Sequence, residues 1–311
     1  MTISHALAGT TLTTGHGTEN DFVLVPDPDG ALTIAPEDVR AVCDRHAGVG
    51  ADGILRVVRS REITAGAEVL RESPEAEWFM DYRNADGSYA EMCGNGIRVF
   101  VHYLRAAGLV DLPDGESVVV GTRGGARRVT REGEQYTVDM GTWWLPGGAR
   151  AAAEGHDVVV EIPGLDGPRG GLRVAVPNPH TVVALPDEAS LGTAHLTLDG
   201  PLAPTYEPVP PEGTNLELVV PLGEGVQDGA PVGTVRMRVL ERGVGETRSC
   251  GTGTCAAALA VRTWGGTGSP NLWRVLVPGG EVRVRVEPDT DGGERVFLTG
   301  PAELTADVVL R

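Results

Sequence analysis

Two cysteine–glycine segments, 157 residues apart, constrain the fold more than any other part of the sequence. Cys93 is followed by Gly-Asn-Gly and Cys250 by Gly-Thr-Gly, and each glycine pair opens a stretch with a helical pattern. The stretches end at Gly108 and Gly265, each 15 residues after its cysteine, as expected of a C-terminal glycine on a helix of about four turns. The sequence therefore predicts two similar helices, each with a cysteine at its N-terminus.

Other landmarks keep the same spacing from these cysteines. Asn20 lies 73 residues before the first cysteine, and Asn178 lies 72 residues before the second. Asn84 and Glu241 each lie nine residues before the cysteine of their half. Three matched spacings indicate an internal duplication. Two such domains meeting face to face would bring both helix N-termini toward one cleft.

Composition limits the classes of function. The chain has 311 residues, enough for two domains, and a formal charge of −17, which argues against nucleic-acid or anionic-membrane partners. The absence of a long apolar run and of a signal-peptide pattern predicts a soluble, cytoplasmic protein. Four cysteines are too few for a disulfide scaffold, and no Cys/His spacing indicates a metal site.

Local patterns predict a strand-rich chain with many turns, since 44 glycines and 22 prolines separate short valine-rich runs. A short helix is predicted from Glu37 to about Arg45, after Pro36. Residues 60–76 are charged and poorly periodic, which we interpret as a hairpin or a surface excursion. The glycine-rich segment from Trp144 to Gly148 is the predicted link between domains.

A thiol at a helix N-terminus is suited to proton transfer beside a carboxylate. The unpaired N–H groups and the positive end of the helix dipole stabilise a thiolate and bind anions. A carboxylate held between two such ends, with one thiol on each side of its α-carbon, is arranged for stereoinversion. One cysteine removes the α-proton as a thiolate, and the other returns a proton to the opposite face as a thiol.

Motifs along almost the whole chain resemble those of the diaminopimelate epimerases. These are pyridoxal-independent enzymes of lysine and peptidoglycan precursor synthesis, and they need no cofactor. The resemblance rests on seven segments: 16–23 (HGTENDFV), 44–53 (DRHAGVGADG), 84–88 (NADGS), 92–98 (MCGNGIR), 176–180 (VPNPH), 213–217 (GTNLE) and 241–255 (ERGVGETRSCGTGTC).

The resemblance implies an α+β fold of two pseudo-symmetric domains, each a β-barrel-like sheet wrapped around a central helix, with the active site between them. The first domain would hold residues 1–145 with about 299–311 and carry Cys93. The second would hold residues 146–298 and carry Cys250. The implied reaction interconverts LL- and meso-diaminopimelate.

The resemblance also implies roles for single residues. Cys93 and Cys250 would be the acid/base pair, Glu241 would receive the reacting ammonium or tune a cysteine, and His180 would influence cysteine protonation. Arg242 would take the distal carboxylate, a bidentate task that lysine performs less well. The remaining implied substrate contacts are Asn20, Gly53, Asn84, Gly94, Asn95, Asn178, Asn215, Gly251 and Thr252.

The sequence departs from the family pattern at three positions. Thr14 stands where a lysine is frequent, and Gly53 replaces a glutamine, so that only its backbone could contribute. Ala306 aligns with a tyrosine that serves a dimer contact in some members. A homodimer is still one of the expected states, but this sequence lacks the tyrosine of that dimer contact.

The same residues also fit other functions. Proline and hydroxyproline racemases share the two-cysteine logic, although Arg242 and the asparagines favour a substrate with a second charged end. A redox protein could use the two cysteines as a disulfide pair, and a binding protein would need neither thiol. Cys43 and Cys255 are interpreted as buried apolar residues, without a role in the chemistry.

Overall fold

The computed structural model describes residues 7–310 and divides the chain into two compact units. The first contains the chain up to Asp139 and the segment from Gly300 onward, and the second runs from Met140 to Thr299. Domain boundaries near residues 145 and 299, between parts that would each fold independently, remain a prediction.

The helices and strands alternate along both units. Up to the first boundary they are β1 (Thr11–Gly17), β2 (Asn20–Pro26), α1 (Pro36–Cys43), β3 (Gly53–Arg59), a 3₁₀ turn (Ser60–Glu62), α2 (Thr64–Glu72), β4 (Trp78–Asn84), α3 (Gly94–Ala106), β5 (Ser117–Gly121), β6 (Arg127–Glu132) and β7 (Gln135–Thr142). They continue as α4 (Gly148–Glu154), β8 (Val158–Glu161), β9 (Arg169–Val176), β10 (Asn178–Ala184), α5 (Glu188–Thr193), β11 (Thr205–Glu207), β12 (Asn215–Gln227), β13 (Ala230–Glu241), β14 (Gly245–Thr247), α6 (Gly251–Gly265), β15 (Leu272–Val277), β16 (Gly280–Pro288), β17 (Glu294–Pro301) and β18 (Glu303–Val309).

The sheet of the first unit surrounds helix α3. Strand β1 pairs antiparallel with β18 and with β2, β2 pairs parallel with β3, and β3 pairs antiparallel with β4. Strand β4 continues parallel to β5, and β5, β6 and β7 are antiparallel neighbours. Helix α3 contacts β1, β2, β3, β4, β6 and β18, and its residues from Gly94 to Val101 are all buried.

The second unit repeats this plan around helix α6. Its pairings run β8–β9 and β9–β10 antiparallel, β10–β12 parallel, β12–β13 antiparallel, β13–β15 parallel, and β15–β16–β17 antiparallel. Helix α6 contacts β9, β10, β12, β13, β15 and β16, and every residue from Gly251 to Val261 is buried. A helix buried on all sides must be apolar or small all round, and this one contains four alanines, a leucine and a valine in that stretch.

The same order of parallel and antiparallel pairings in both units confirms the predicted fold class of two pseudo-symmetric halves. The parallel pair β2–β3 matches β10–β12, with Phe22 opposite Gly53 in one unit and His180 opposite Asn215 in the other. The matched spacings in the sequence thus correspond to matched positions on two related sheets.

The hairpin interpretation of residues 60–76 was wrong. This segment is the 3₁₀ turn followed by helix α2, in which Gly66 is the only buried residue. A Cβ at Gly66 would lie 2.3 Å from the Ser60 carbonyl oxygen, so the helix packs through a glycine. Among residues 7–310, no helix has the length and apolar character needed to cross a membrane.

We predict that Gly53→Ala destabilises the first unit because its strand leaves no room for a side chain. A Cβ there would lie 2.4 Å from the Arg83 carbonyl oxygen and 2.7 Å from the Tyr82 ring. Overpacking of this kind costs about 1–3 kcal/mol of unfolding free energy, measurable by urea denaturation. The control is Gly225→Ala on β12, where a Cβ meets nothing within 4 Å. Equal effects of the two changes would contradict the steric explanation.

Candidate active site

Cys93 caps helix α3 in the first unit. Its backbone is extended, with φ −138° and ψ 121°, and its sulfur accepts a hydrogen bond from the Gly96 N–H at 3.4 Å. An N-cap side chain that accepts from the third helical N–H satisfies one donor that the helix itself leaves unpaired. The sulfur of Cys93, which is partly exposed, therefore lies at the positive end of a buried helix.

Asn20, the first residue of β2, contacts this sulfur. Its carbonyl oxygen Oδ1 lies 3.6 Å from Cys93 Sγ and accepts from Asn95 Nδ2 at 3.3 Å. Its amide nitrogen donates to Asp52 Oδ2 at 2.7 Å. Asn20 therefore joins the helix cap to the loop that precedes β3.

A cluster of three charged residues lies behind Asn20. Arg45 donates to both carboxylate oxygens of Asp21 at 2.8 Å and to Asp52 Oδ1 at 2.7 Å. Burial tends to raise the pKa of Asp21, but hydrogen bonds and charge from Arg45 outweigh it and lower that pKa. Burial and the charge of Asp21 raise the pKa of Asp52. Burial, with both carboxylates nearby, also raises the pKa of Cys43 to about 12, which fits its interpretation as an unreactive buried residue.

Asn84 ends β4 directly opposite Gly53 on β3. Its Nδ2 donates to Ser88 Oγ at 3.0 Å, and its backbone N–H donates to the Ser88 carbonyl at 2.9 Å, so the side chain lies at the mouth of a tight turn. Asn84 is half-buried, at the end of a strand that lies between β3 and β5.

Cys250 caps helix α6 in the second unit with the same geometry. Its φ is −126° and its ψ 118°, and its sulfur accepts from the Gly253 N–H at 3.4 Å. The Thr252 hydroxyl lies 3.5 Å from the sulfur. Burial raises the pKa of Cys250 well above the ordinary value, and the charges of Glu241 and Glu217 add to this, whereas Thr252 and Gly253 act to lower it.

A hydrogen-bonded network continues from Thr252 into the sheet. Asn178 Nδ2 donates to Thr252 Oγ1 at 3.4 Å, and Asn178 Oδ1 lies 3.0 Å from His180 Nε2. His180 Nδ1 lies 2.7 Å from Glu217 Oε1 and 3.5 Å from Asn215 Nδ2. The side chains of His180 and Glu217 are wholly buried, and burial raises the pKa of Glu217.

Glu241 is the last residue of β13, and Arg242 follows it at the rim of this network. The Thr247 hydroxyl donates to Glu241 Oε1, and Glu241 lies close enough to Cys250 to raise the pKa of that thiol. The Arg242 backbone N–H donates to Asn215 Oδ1 at 2.8 Å, and its exposed guanidinium donates to the Glu212 carbonyl.

The two units differ in what lies beneath the cap. In the first unit, a Cβ at Gly96 would contact Phe22 and Leu55, both at 3.4 Å. In the second unit, a Cβ at the equivalent Gly253 would lie 2.8 Å from Glu217 Oε1. The matched strand registers make Phe22 the counterpart of His180 and Leu55 the counterpart of Glu217, so an apolar pair in one unit is replaced by a buried polar pair in the other.

The structure brings most of the predicted site residues together within their own units. Asn20, Cys93 and Asn95 are in contact in the first unit, and Asn84 lies opposite Gly53. The residues joined in the second unit are Asn178, His180, Asn215, Arg242, Cys250 and Thr252. Their roles toward a substrate stay predictions.

Sequence reasoning did not assign roles to Asp52 and Glu217, although both belong to the motifs that carry the resemblance. One signal was available for Glu217, since it is a lone acidic residue in the otherwise apolar run from Leu216 to Val220. A charged residue within a buried strand indicates a paired polar function. Asp52 carries no such signal, because it lies in a loop.

The family model for diaminopimelate epimerase matches residues 12–145 and 173–305. A diaminopimelate epimerase of Rhodococcus jostii is 45% identical over 307 residues, and one of Thermobifida fusca is 46% identical over 302 residues. These alignments cover 95% and 94% of this chain and 95% of each relative. The chain belongs to the diaminopimelate epimerase family. It is accordingly an amino-acid epimerase.

Solved structures of distant relatives share the fold of this diaminopimelate epimerase family member. A PhzF-family phenazine biosynthesis protein of Bacillus anthracis matches with a TM-score of 0.64 at 15% identity, covering 97% of this chain and 99% of that one. A hydroxyproline epimerase of Agrobacterium vitis matches with a TM-score of 0.58 at 13% identity, covering 96% and 90%. At these identities, the likeness concerns the fold alone.

We predict that Glu217 makes stability depend on pH. Because its pKa is raised from the ordinary 4.5 in the folded protein, the folded state keeps a proton that the unfolded chain has released. This contribution is complete below that ordinary pKa and is lost as the pH rises through the folded pKa. Glu217→Gln removes the titration, so the variant should gain stability relative to the parent protein as pH rises.

Urea unfolding across roughly pH 5–8 measures this difference in unfolding free energy. The matched control is Glu161→Gln, an isosteric change at an exposed position of β8 in the same unit. A difference between Glu217→Gln and the parent that stays constant with pH, or that changes in the opposite direction, would contradict the assigned protonation.

Proposed function

We propose that this enzyme interconverts LL- and meso-diaminopimelate by a two-cysteine mechanism, without a cofactor, and so supplies lysine and peptidoglycan precursors. The observation that carries the proposal is the identical capping geometry of Cys93 and Cys250, each with its sulfur 3.4 Å from the third N–H of a buried helix. Two groups of the same chemical type in equivalent positions suit a reaction that must run on both faces of one carbon.

The α-carboxylate of the substrate would bind to backbone N–H groups at a helix start. In the first unit these belong to Gly94 and Asn95, and in the second to Gly251 and Thr252, all of them buried residues. The N-terminal end of a helix attracts anions through its first N–H groups and its dipole. The same groups would stabilise the charge that develops on the carboxylate as the α-proton leaves.

The proton balance closes with the two thiols alone. One cysteine, as a thiolate, accepts the α-proton and becomes a thiol, while the Cα–H electron pair is delocalised into the carboxylate. The second cysteine then transfers its S–H proton to the opposite face of the carbanion and becomes a thiolate. The enzyme finishes with the protonation states exchanged, and proton exchange with solvent restores the starting state.

Burial raises the pKa of Cys250 in the empty protein, which favours the thiol over the thiolate. To act as a base, it must be deprotonated in the complex. Two groups favour the thiolate there: the Gly253 N–H and the Thr252 hydroxyl both lie within hydrogen-bonding distance of the sulfur. Exclusion of water by the substrate would strengthen both interactions.

The far end of diaminopimelate carries a second ammonium and a second carboxylate. Arg242 is exposed at the rim of the second unit and offers a planar pair of donors to that carboxylate. Glu241, with a charge close to Cys250, would receive the reacting ammonium. The side-chain amides of Asn84, Asn178 and Asn215 supply both donors and acceptors for a zwitterion.

A proline-type substrate is the second candidate. A hydroxyproline epimerase shares this fold at 13% identity. Such a substrate offers a single carboxylate and no distal charge, so it would leave Arg242 without a function. The relatives at 45% and 46% identity favour diaminopimelate over the proline-type substrate. A redox role for the thiols would leave the asparagines and Glu241 unexplained as well.

We predict that, in D2O without pyridoxal phosphate, the enzyme incorporates deuterium at Cα of LL-diaminopimelate and forms the meso isomer. Proline and hydroxyproline should show no exchange above the uncatalysed background. NMR or mass spectrometry measures the incorporated deuterium, and a chiral separation measures the isomers. Exchange into proline with none into diaminopimelate would refute the proposed substrate, and exchange into neither would refute the proposed reaction.

We predict that Cys93→Ala and Cys250→Ala each lower the rate of epimerisation by at least ~10²–10⁴-fold, the contribution of a general acid or base. Each face needs its own group, so one thiol cannot replace the other. The matched control is Cys43→Ala, which removes a thiol that takes no part in either helix cap and should leave kcat within a few-fold of the parent value. Turnover near the parental rate in either catalytic variant would contradict the two-base scheme.

A further inference from the structure

The amide of Asn20 has a defined orientation. Asp52 Oδ2 lies 2.7 Å from Asn20 Nδ2 and also accepts from the Asp21 backbone N–H at 3.2 Å. A carboxylate oxygen can only accept, so the NH2 group of Asn20 must face Asp52. The carbonyl oxygen of Asn20 consequently faces Cys93 and Asn95.

Arg45 favours the carboxylate form of Asp52 that this orientation requires. The guanidinium donates to Asp52 Oδ1 at 2.7 Å and to both oxygens of Asp21. Burial and the charge of Asp21 act against this, because they raise the pKa of Asp52. Arg45, Asp21 and Asp52 are thus the charged groups that determine which atom of Asn20 faces the sulfur.

The corresponding amide in the second unit faces the opposite way. The oxygen of Asn178 lies 3.0 Å from His180 Nε2, so its NH2 group faces Thr252 at 3.4 Å. Thr252 Oγ1 lies 3.5 Å from Cys250 Sγ, and its hydroxyl can donate to a thiolate there or accept from a thiol. One sulfur therefore faces an oxygen that can only accept, and the other faces a hydroxyl that can also donate.

We propose that Asp52 is a positioning residue: by holding the Asn20 carbonyl toward Cys93, it keeps this cysteine in the S–H form, as the acid that protonates the carbanion. A hydrogen bond from the thiol to a carbonyl exists only while sulfur keeps its proton, so the acceptor favours the thiol. The donor that faces Cys250 favours its thiolate.

The role of Cys93 as an acid rests on the proposed function, but the protonation of Cys93 can be tested without a substrate. Iodoacetamide reacts with thiolates, so the pH dependence of alkylation reports the protonation of each cysteine. Mass spectrometry of the Cys93 and Cys250 peptides measures the alkylation rate of each cysteine at each pH. The pH at which that rate is half-maximal is the midpoint for the residue. The midpoint is preferable to the absolute rate, because intrinsic nucleophilicity falls as a thiol becomes more acidic.

In Asp52→Asn, the new amide can accept from or donate to Asn20, and the Asn20 amide is released to turn its NH2 group toward sulfur. We expect the Cys93 midpoint to fall by roughly one pH unit, which corresponds to about tenfold more thiolate below both midpoints. The Cys250 midpoint should not move. The matched control is Glu132→Gln, the same loss of charge at an exposed site of β6 in the same unit, which should leave both midpoints unchanged.

Loss of the Asp52 charge would by itself also favour a thiolate at Cys93. The effect of this charge must therefore be separated from the effect of the Asn20 orientation. Asn20→Ala removes the amide through which Asp52 acts, and a double-mutant cycle isolates that path. In the Asn20→Ala background, the shift caused by Asp52→Asn should shrink to the part that the lost charge alone produces. A shift of equal size in both backgrounds, or an unchanged midpoint in Asp52→Asn, would overturn the proposal.

Asn20→Ala alone provides a second test, which stays valid if Asp52→Asn fails to fold. Removing the acceptor should lower the Cys93 midpoint, and an unchanged or raised midpoint would overturn the assignment. The outcome is independent of the substrate. A lowered midpoint in a protein that does not epimerise diaminopimelate would leave the positioning role standing and refute the proposed function instead.

Discussion

Everything in this site depends on backbone N–H groups that a helix start leaves without partners. In each unit one sulfur accepts from the third such group. Burial makes this arrangement effective, because the field of the helix end is poorly screened where water is excluded. Each sheet wraps almost completely around its helix, and it thereby supplies the low-polarity surroundings that the cap requires.

Duplication gave both caps the same geometry, but the strands beneath them have diverged. Phe22 and Leu55 form an apolar floor under the first cap, whereas His180 and Glu217 form a buried polar pair under the second. Burying such a pair costs free energy that hydrophobic residues of similar size would not. Glu217 Oε2 adds to that cost, since it has no hydrogen-bond partner within residues 7–310. A stable core would not need this pair, so we relate it to the hydrogen-bond network that reaches Cys250.

The sequence was informative where the determinants are local. The two caps, the helix ends and the matched spacings follow from residues close together in the chain, and the fold class follows from the repeat. The supporting residues could not be predicted in this way. Asp52 contacts Asn20 across 32 residues and Glu217 contacts His180 across 37, and both contacts depend on the parallel pairing of strands whose register no local pattern specifies. Helix α2 was missed for a different reason: its one buried residue is Gly66, and glycine disfavours a helix interior.

A two-base reaction makes opposite demands on two chemically identical groups. At the start of each turnover, one sulfur must hold a proton and the other must lack one, although a perfect duplication would give both the same protonation. Helix dipoles cannot create the difference, because they act equally on Cys93 and Cys250. The difference must come from neighbours that were free to diverge. An amide side chain is well suited to this task, since turning it by half a rotation exchanges an acceptor for a donor without changing its shape. Asn20 and Asn178 occupy equivalent positions, and the oxygen of Asn20 faces Cys93 whereas the oxygen of Asn178 faces His180.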